Sequence, residues 1–198
     1  MEGWVASEFI SASQPIVEAT PEDDLAEAST TETEDGLGDQ PEETEDAAPV
    51  PRVLTVPVSS DFSLSGTDGV NEGTPGTLLV GGDDQDVAVM TFDVSGVGDG
   101  KVVSARLLVS GTQEGAGGSV IVLPGFWADP WSASWSDLVN SGGGAGWLDW
   151  IGAGSTSGVD LSGWINGDGP VTIIVIGTSD QQAGIASQES GSPPTLVL

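Results

Sequence analysis

The 198-residue chain contains no cysteine and no histidine. The absence of cysteine excludes disulfides and thiolate-based zinc or redox sites, and the absence of histidine removes the commonest general base and transition-metal ligand. A serine nucleophile would lack an imidazole to activate it, and the single lysine, Lys101, lies between a predicted turn and a predicted strand. Two carboxylates can hydrolyse glycosides without histidine, but the spacing of the acidic residues marks no pair. We therefore predict that the protein is not an enzyme.

Basic residues are almost as scarce, since Arg52, Lys101 and Arg106 stand against 31 acidic residues and the formal net charge is −28. Fifteen of the acidic residues precede Arg52, and the other sixteen with the three basic residues leave the remainder at −13. Such a surface repels phosphate backbones and anionic lipids. Nucleic acid is therefore not an expected partner.

No segment is long and apolar enough to predict a membrane span. The longest apolar run is VTIIVIG at 171–177, whereas a transmembrane helix needs about 20 apolar residues. The N-terminal sequence MEGWVASEFI has neither the basic start nor the long apolar stretch of a signal peptide. We expect no membrane insertion, and we expect any export signal to lie upstream of Met1.

Large apolar residues are few in 11–52, which consists mainly of Glu, Asp, Thr, Ala and Pro. A segment of this composition cannot bury enough surface to offset the entropy of its chain, so we predict that 11–52 is disordered. Charge repulsion and five prolines favour an extended spacer. An acidic recognition segment is the alternative.

From residue 53 the sequence changes to β-branched runs separated by turn residues, which is the pattern of an antiparallel fold with many strands. The predicted strands lie within RVLTVPV (52–58), TLLVGG (77–82), DVAVMTFDV (86–94), KVVSARLLVSG (101–111), SVIVLPG (119–125), GVDLSGWI (158–165), VTIIVIGT (171–178) and PTLVL (194–198).

These strands predict an all-β domain over 53–198. Within DVAVMTFDV, alternation places Val87 and Val89 on one face and Met90 and Phe92 on the other. GVGDGK at 96–101 predicts a hairpin turn, and no stretch has a sustained helical period, so little helix is expected. Eight or more strands in this length suit a two-sheet antiparallel β-sandwich of jelly-roll type.

Two stretches resemble known families. GWVASEFI at 3–10 resembles the closing strands of a bacterial SH3 domain. This resemblance implies that 1–10 holds the terminal strand of a truncated domain and that the chain is the C-terminal part of a longer protein. A disordered N-terminus without such a domain is the alternative.

The second resemblance covers nearly all of 60–198. GTLLVGG (76–82), FDVSG (92–96), VVSARLLV (102–109), GVDLSGWI (158–165) and ASQESGSPPTLVL (186–198) follow one another as the elements of DNRLRE domains do, a group also called carbohydrate-binding module family 96. The resemblance implies a non-catalytic module of an extracellular or cell-surface protein that binds a polysaccharide. Gln188 stands at the position of the family's arginine, and no acid follows Trp127 or Trp131 directly. The resemblance therefore does not imply that this chain binds a sugar through that arginine or through an acid beside a tryptophan.

Tryptophans are the candidate carbohydrate-binding residues, because sugar-binding modules stack flat aromatic faces against pyranose rings. Trp127, Trp131, Trp147 and Trp150 lie among Gly, Ser, Asp and Pro, which favours exposure. A role in the core is the alternative for each of them. We predict that Trp164 lies in the core and that Trp135, in the alternating stretch SASWSDLV, caps one sheet.

Carboxylates in GGDDQD at 81–86 are the candidate metal ligands. Asp83, Asp84 and Asp86 offer oxygen ligands at the entry to a strand, which suits calcium. Aspartate is also an ordinary turn residue, so a solvated turn is the alternative. We expect a monomeric module of a larger protein that binds a neutral glycan, since the domain is acidic, and that has no cofactor besides a structural calcium. The alternative is a spacer or adhesion module without a ligand of its own.

Overall fold

A computed structural model describes residues 50–66, 69–71, 75–126, 128–129, 134–140 and 143–198. Its compact unit of strands spans Pro49–Leu198. The predicted SH3-like strand at 1–10 lies outside the described residues. So does the predicted disordered segment 11–52, except for its last three residues.

The described residues form strands almost throughout, with one short helix. The strands are β1 (Thr55–Ser65), β2 (Gly69–Asn71), β3 (Thr77–Val80), β4 (Val87–Val94), β5 (Arg106–Gln113), β6 (Gly118–Pro124), β7 (Gly144–Leu148), β8 (Thr156–Asp160), β9 (Gly169–Gly177), β10 (Ala183–Ala186) and β11 (Thr195–Val197), and the helix is α1 (Trp135–Asn140). No helix in this part of the chain is long and apolar enough to cross a membrane.

The strands pair antiparallel in two layers. One layer has the order β1-β11-β5-β8, with β10 and β3 continuing beside β5, and the other has the order β4-β9-β6-β7. The strand β1 joins the layers, since its start pairs with β11 and its remainder, after a bulge between Val58 and Ser60, pairs with β4. This order is that of a jelly roll. The predicted all-β sandwich is confirmed.

Alternation along β4 explains how the layers pack. Ala88, Met90 and Phe92 point into a main core between the two layers, whereas Val87 and Val89 point to the other side. There they join a second group of apolar residues, called here the outer cluster, that also includes Ile174 of β9 and Leu138 of α1. The predicted faces of this strand are therefore correct, but both faces are buried.

The helix α1 covers the outer cluster. Trp135 packs against it, and its indole Nε1 donates a hydrogen bond of 3.0 Å to the carbonyl of Gln85. The prediction that Trp135 caps a sheet is consistent with this contact, but the strand-like alternation predicted for SASWSDLV is wrong. Ser134 explains the helix, because its hydroxyl accepts the backbone N–H of Asp137 at 3.2 Å in the manner of an N-cap.

A buried threonine pair fixes the backbone at Phe126 and Ala128. Thr91 and Thr172 face each other on β4 and β9, with 3.0 Å between their hydroxyl oxygens. The hydroxyl of Thr172 donates to the carbonyl of Phe126 at 2.8 Å and accepts the N–H of Ala128 at 3.3 Å. These bonds hold the backbone at Phe126 and Ala128 beside β9 and satisfy the buried hydroxyl groups of the two threonines.

The predicted hairpin at 96–101 is wrong. The strand β4 already has β1 and β9 on its two sides, so β5 cannot pair with it and lies in the other layer. The connection bends at Gly96 and Gly98, which have positive φ angles of 91° and 56°. The carboxylate of Asp168 holds this bend by accepting the N–H groups of Val97 and Gly98 at 2.7 and 3.1 Å.

Candidate functional site

Exposure separates the tryptophans of the described residues into two groups. Trp147 and Trp150 are each 54% exposed, and among the described aromatic side chains only Phe126, at 45%, is similarly open. Trp164 is half-buried against the main core, as predicted, and Trp135 packs on the outer cluster. The two exposed tryptophans are therefore the described aromatic residues best placed to meet a ligand.

Trp147 points outward because of the pairing of β7. The next residue, Leu148, is fully buried in the main core, so the side chain before it faces the opposite side of the sheet. Trp147 lies opposite Ser119 of β6, and β7 is the last strand of its layer. Gly146 allows this strand to approach β8, since a Cβ atom there would lie 2.7 Å from a methyl group of Val159.

Trp150 lies in the connection from β7 to β8, which is anchored on both sides. Leu148 before it and Ile151 after it are fully buried. Ile151 and Gly115 exchange two backbone hydrogen bonds of 2.9 and 3.0 Å, and the hydroxyl of Ser157 donates to the carbonyl of Trp150 at 3.4 Å. The Cα atoms of Trp147 and Trp150 can be no more than about 11 Å apart along the chain. We call these two residues the Trp147–Trp150 surface.

Trp127 and Trp131 lie outside the described residues, so their role as carbohydrate ligands stays a prediction. Their neighbours are placed, because Phe126 and Ala128 are both bonded to Thr172 as described above. Ala128 is fully buried and Phe126 is largely exposed.

The three candidate metal ligands occupy the turn between β3 and β4. Asp83 and Asp84 are exposed, whereas Asp86 is fully buried and its carboxylate accepts the side-chain N–H of Gln182 at 2.7 Å. Glycines at 81 and 82 and Gln85, all with positive φ, bend the chain between them. The described residues contain no group of three or more acidic side chains placed to hold a metal ion.

Calcium at this turn stays a prediction. Binding to the folded protein alone would raise the melting temperature when calcium is added, and a chelator would reverse the rise.

The segment SQE at 187–189, which the family resemblance singles out, packs beside β1. The N–H of Gln188 donates to the carboxylate of Asp61 at 2.7 Å, and the hydroxyl of Ser187 donates to Glu189 at 2.6 Å. Burial, with a smaller effect from the charge of Glu189, raises the pKa of Asp61 to about 6 despite the hydrogen bond from Gln188. The bond from Ser187 keeps the pKa of Glu189 below its usual range.

We expect Asp61→Asn to stabilise the domain at pH 7 but not below pH 4. Folding raises the pKa of Asp61, so this carboxyl group does not lower the free energy of unfolding when it is protonated in both the folded and the unfolded state. The destabilisation appears as the pH rises from about 4 to 6. Asp61 is only half-buried, so we expect about 1 kcal/mol after allowance for solvent screening. Urea unfolding at pH 3.5, 5 and 7 measures the difference.

The control is Asp93→Asn, which removes the same charge from an exposed position on β4. A gain at pH 7 that is equal for the two variants would contradict a specific cost at Asp61.

Comparison of the sequence with protein-family models and with curated proteins finds no match.

Proposed function

We propose that the protein is a non-catalytic module that binds a neutral polysaccharide through exposed tryptophan side chains. The observation that carries the proposal is the exposure of Trp147 and Trp150, 54% each, in a domain whose other described tryptophans pack against apolar residues. The resemblance to DNRLRE domains supports the same ligand class.

The composition of the Trp147–Trp150 surface supports stacking on a sugar ring. Gly144 precedes Trp147 and carries no side chain that would shield its indole, while Ser119 opposite offers a hydroxyl for hydrogen bonding. An indole has an apolar face and a polar N–H, which suits a ligand with both apolar and hydroxyl surfaces.

Charge favours a neutral glycan over an acidic one. The chain from Arg52 onward has a net charge of −13, and a uronate polymer would be repelled unless cations bridged the two.

Affinity electrophoresis in gels containing neutral or acidic polysaccharides tests the proposal. We expect a neutral polysaccharide to retard the wild type, and Trp147→Ala or Trp150→Ala to weaken binding at least about tenfold, because a buried aromatic contact commonly contributes over 1 kcal/mol. Phe126→Ala is the matched control, since it removes another exposed aromatic ring. Trp127→Ala and Trp131→Ala test the two predicted ligands outside the described residues.

The alternative is a spacer or adhesion module with no ligand of its own, which the absence of the family's arginine at Gln188 favours. Failure of every polysaccharide to retard the wild type would overturn the binding proposal and leave this alternative. Both proposals place the module, as a monomer, in a longer protein that is extracellular or attached to the cell surface.

A further inference from the structure

A cleft of about 530 Å³ lies where the start of the domain meets the β4–β5 connection and the last strand. Its walls come from the start of the domain, from the β4–β5 connection and from the C-terminal residue, with the lining residues Val50, Pro51, Arg52, Leu54, Val97, Gly100, Lys101, Val102, Val103 and Leu198. Its volume falls within the range of about 300–1,000 Å³ that is usual for small-molecule sites. The Trp147–Trp150 surface contributes none of its lining.

The lining of the cleft is apolar. Six of its ten lining residues are valine or leucine, and the others are Pro51, Gly100, Arg52 and Lys101. Val50 and Val103 are 87% and 80% exposed, which makes them the two most exposed large apolar side chains of the described residues. Valine side chains this exposed to water favour binding of an apolar ligand, because covering them lowers the free energy of the complex.

The charged side chains that line the cleft are both basic, although the charge of Arg52 also acts on the carboxylate of Asp168. Arg52 and Lys101 are two of the three basic residues of the chain, whereas none of the 31 acidic residues lines the cleft. This combination is complementary to a ligand that has one negative group and one apolar part.

Arg52 and Lys101 have different roles at the cleft. The guanidinium of Arg52 donates to the carbonyl of Gly96, and Asp168 accepts the N–H groups of Val97 and Gly98. Arg52 therefore helps to hold the bend that forms one wall. Lys101 lies at the end of that bend, lines the cleft and is exposed, so its ammonium group can reach an anion bound there.

We infer that this cleft binds an aliphatic carboxylate, with its hydrocarbon chain against the valine and leucine side chains and its carboxylate beside Lys101. The inference is independent of polysaccharide binding, since the two surfaces share no residue.

Titration of the full-length ¹⁵N-labelled protein with octanoate, followed by NMR, tests the inference. We expect the amide signals of Val97, Gly100 and Val102 to shift, with a dissociation constant in the millimolar range. The neutral analogue 1-octanol should bind about fivefold more weakly, because it lacks the charge that pairs with Lys101.

Two pairs of variants separate the cleft from general effects. Lys101→Gln should weaken octanoate binding about fivefold without affecting 1-octanol, whereas Arg106→Gln, which removes the same charge outside the cleft, should change neither. Val103→Ser should weaken both ligands, and Val53→Ser, at an exposed valine that does not line the cleft, should weaken neither.

The inference is overturned if octanoate shifts other amides, if 1-octanol binds as tightly as octanoate, or if Arg106→Gln weakens octanoate as much as Lys101→Gln. Trp147→Ala distinguishes the two proposals, because it should weaken polysaccharide binding at least about tenfold and leave the octanoate titration unchanged.

Discussion

Replacement of Gly118 by alanine is expected to prevent stable folding. A Cβ atom at this position would lie 1.9 Å from the carbonyl oxygen of Ile176 and 2.6 Å from its carbonyl carbon. Ile176 is part of β9, which is held by hydrogen bonds from β4 on one side and β6 on the other, so its backbone cannot move away without breaking two ladders. We expect a loss of more than about 3 kcal/mol, which is a large part of the stability of an ordinary domain.

Gly144→Ala is the matched control. Gly144 lies in the neighbouring strand β7, and the nearest heavy atom to its added Cβ would be the Ser119 hydroxyl at 3.7 Å, an ordinary contact. We expect this variant to stay within about 0.5 kcal/mol of the wild type. Soluble yield and urea unfolding at pH 7 measure both variants. Equal stability of the two would show that the packing of β6 on β9 tolerates a side chain.

The second large effect is expected for Phe92→Ala. Phe92 is fully buried in the main core, between Val58 of β1 and Val171 of β9 in the strand register. Truncation removes the apolar contacts of the ring and leaves a cavity that the surrounding strands cannot fill. Such changes commonly cost about 3–5 kcal/mol, which corresponds to a fall in melting temperature of roughly 6–20 °C for a domain of this size.

Phe126→Ala provides the comparison, because it removes the same ring from a position that is 45% exposed. Its expected cost is below about 1 kcal/mol. Phe92→Leu should lie between the two, since it retains most of the buried volume. Circular dichroism at increasing temperature gives all three values, and a Phe92→Ala protein as stable as Phe126→Ala would contradict the assigned core.

The strands that sequence reasoning predicts correctly are those rich in β-branched residues. Segments 86–94 and 171–178 fall on β4 and β9, whose alternating or continuous apolar residues carry a clear signal. The strand β7 was missed because GGGAG has neither β-branched residues nor alternation. Its Gly146 serves close approach to Val159 of β8, and that requirement is visible only once the neighbouring strand is placed.

Strand ends and connections were predicted less well, because local hydrogen bonds decide them. The predicted strand at 158–165 ends at Asp160, whose carboxylate accepts the N–H of Ser162 at 2.9 Å and starts a turn. Likewise, Asp99-Gly100 has the composition of a hairpin turn, but the position of β4 inside its layer makes a hairpin impossible. Composition cannot show which strands already have two partners.

The sequence predicted which kinds of residue form the candidate site better than it predicted where those residues lie in the fold. It favoured Trp127 and Trp131, which lie outside the described residues, whereas the exposure of Trp147 and Trp150 depends on the buried Leu148 and Ile151 beside them. It grouped Asp83, Asp84 and Asp86 because they are adjacent in the chain, although Asp86 turns inward to Gln182. It gave no sign of the cleft at Lys101, which is formed by residues up to 148 positions apart in the sequence.

Because β1 pairs with β11 near the end of the domain, its pairing must wait until most of the domain has been synthesised. Pro57 pairs with Thr195, 138 residues later, so a ribosome that adds 5–20 residues per second leaves the first strand without this partner for roughly 7–28 s. Throughout that interval the nascent chain presents an open strand edge, a surface prone to pairing with other chains. The fifteen acidic residues that precede Arg52 are made before β1, and their like charge would repel neighbouring nascent chains while that edge is open.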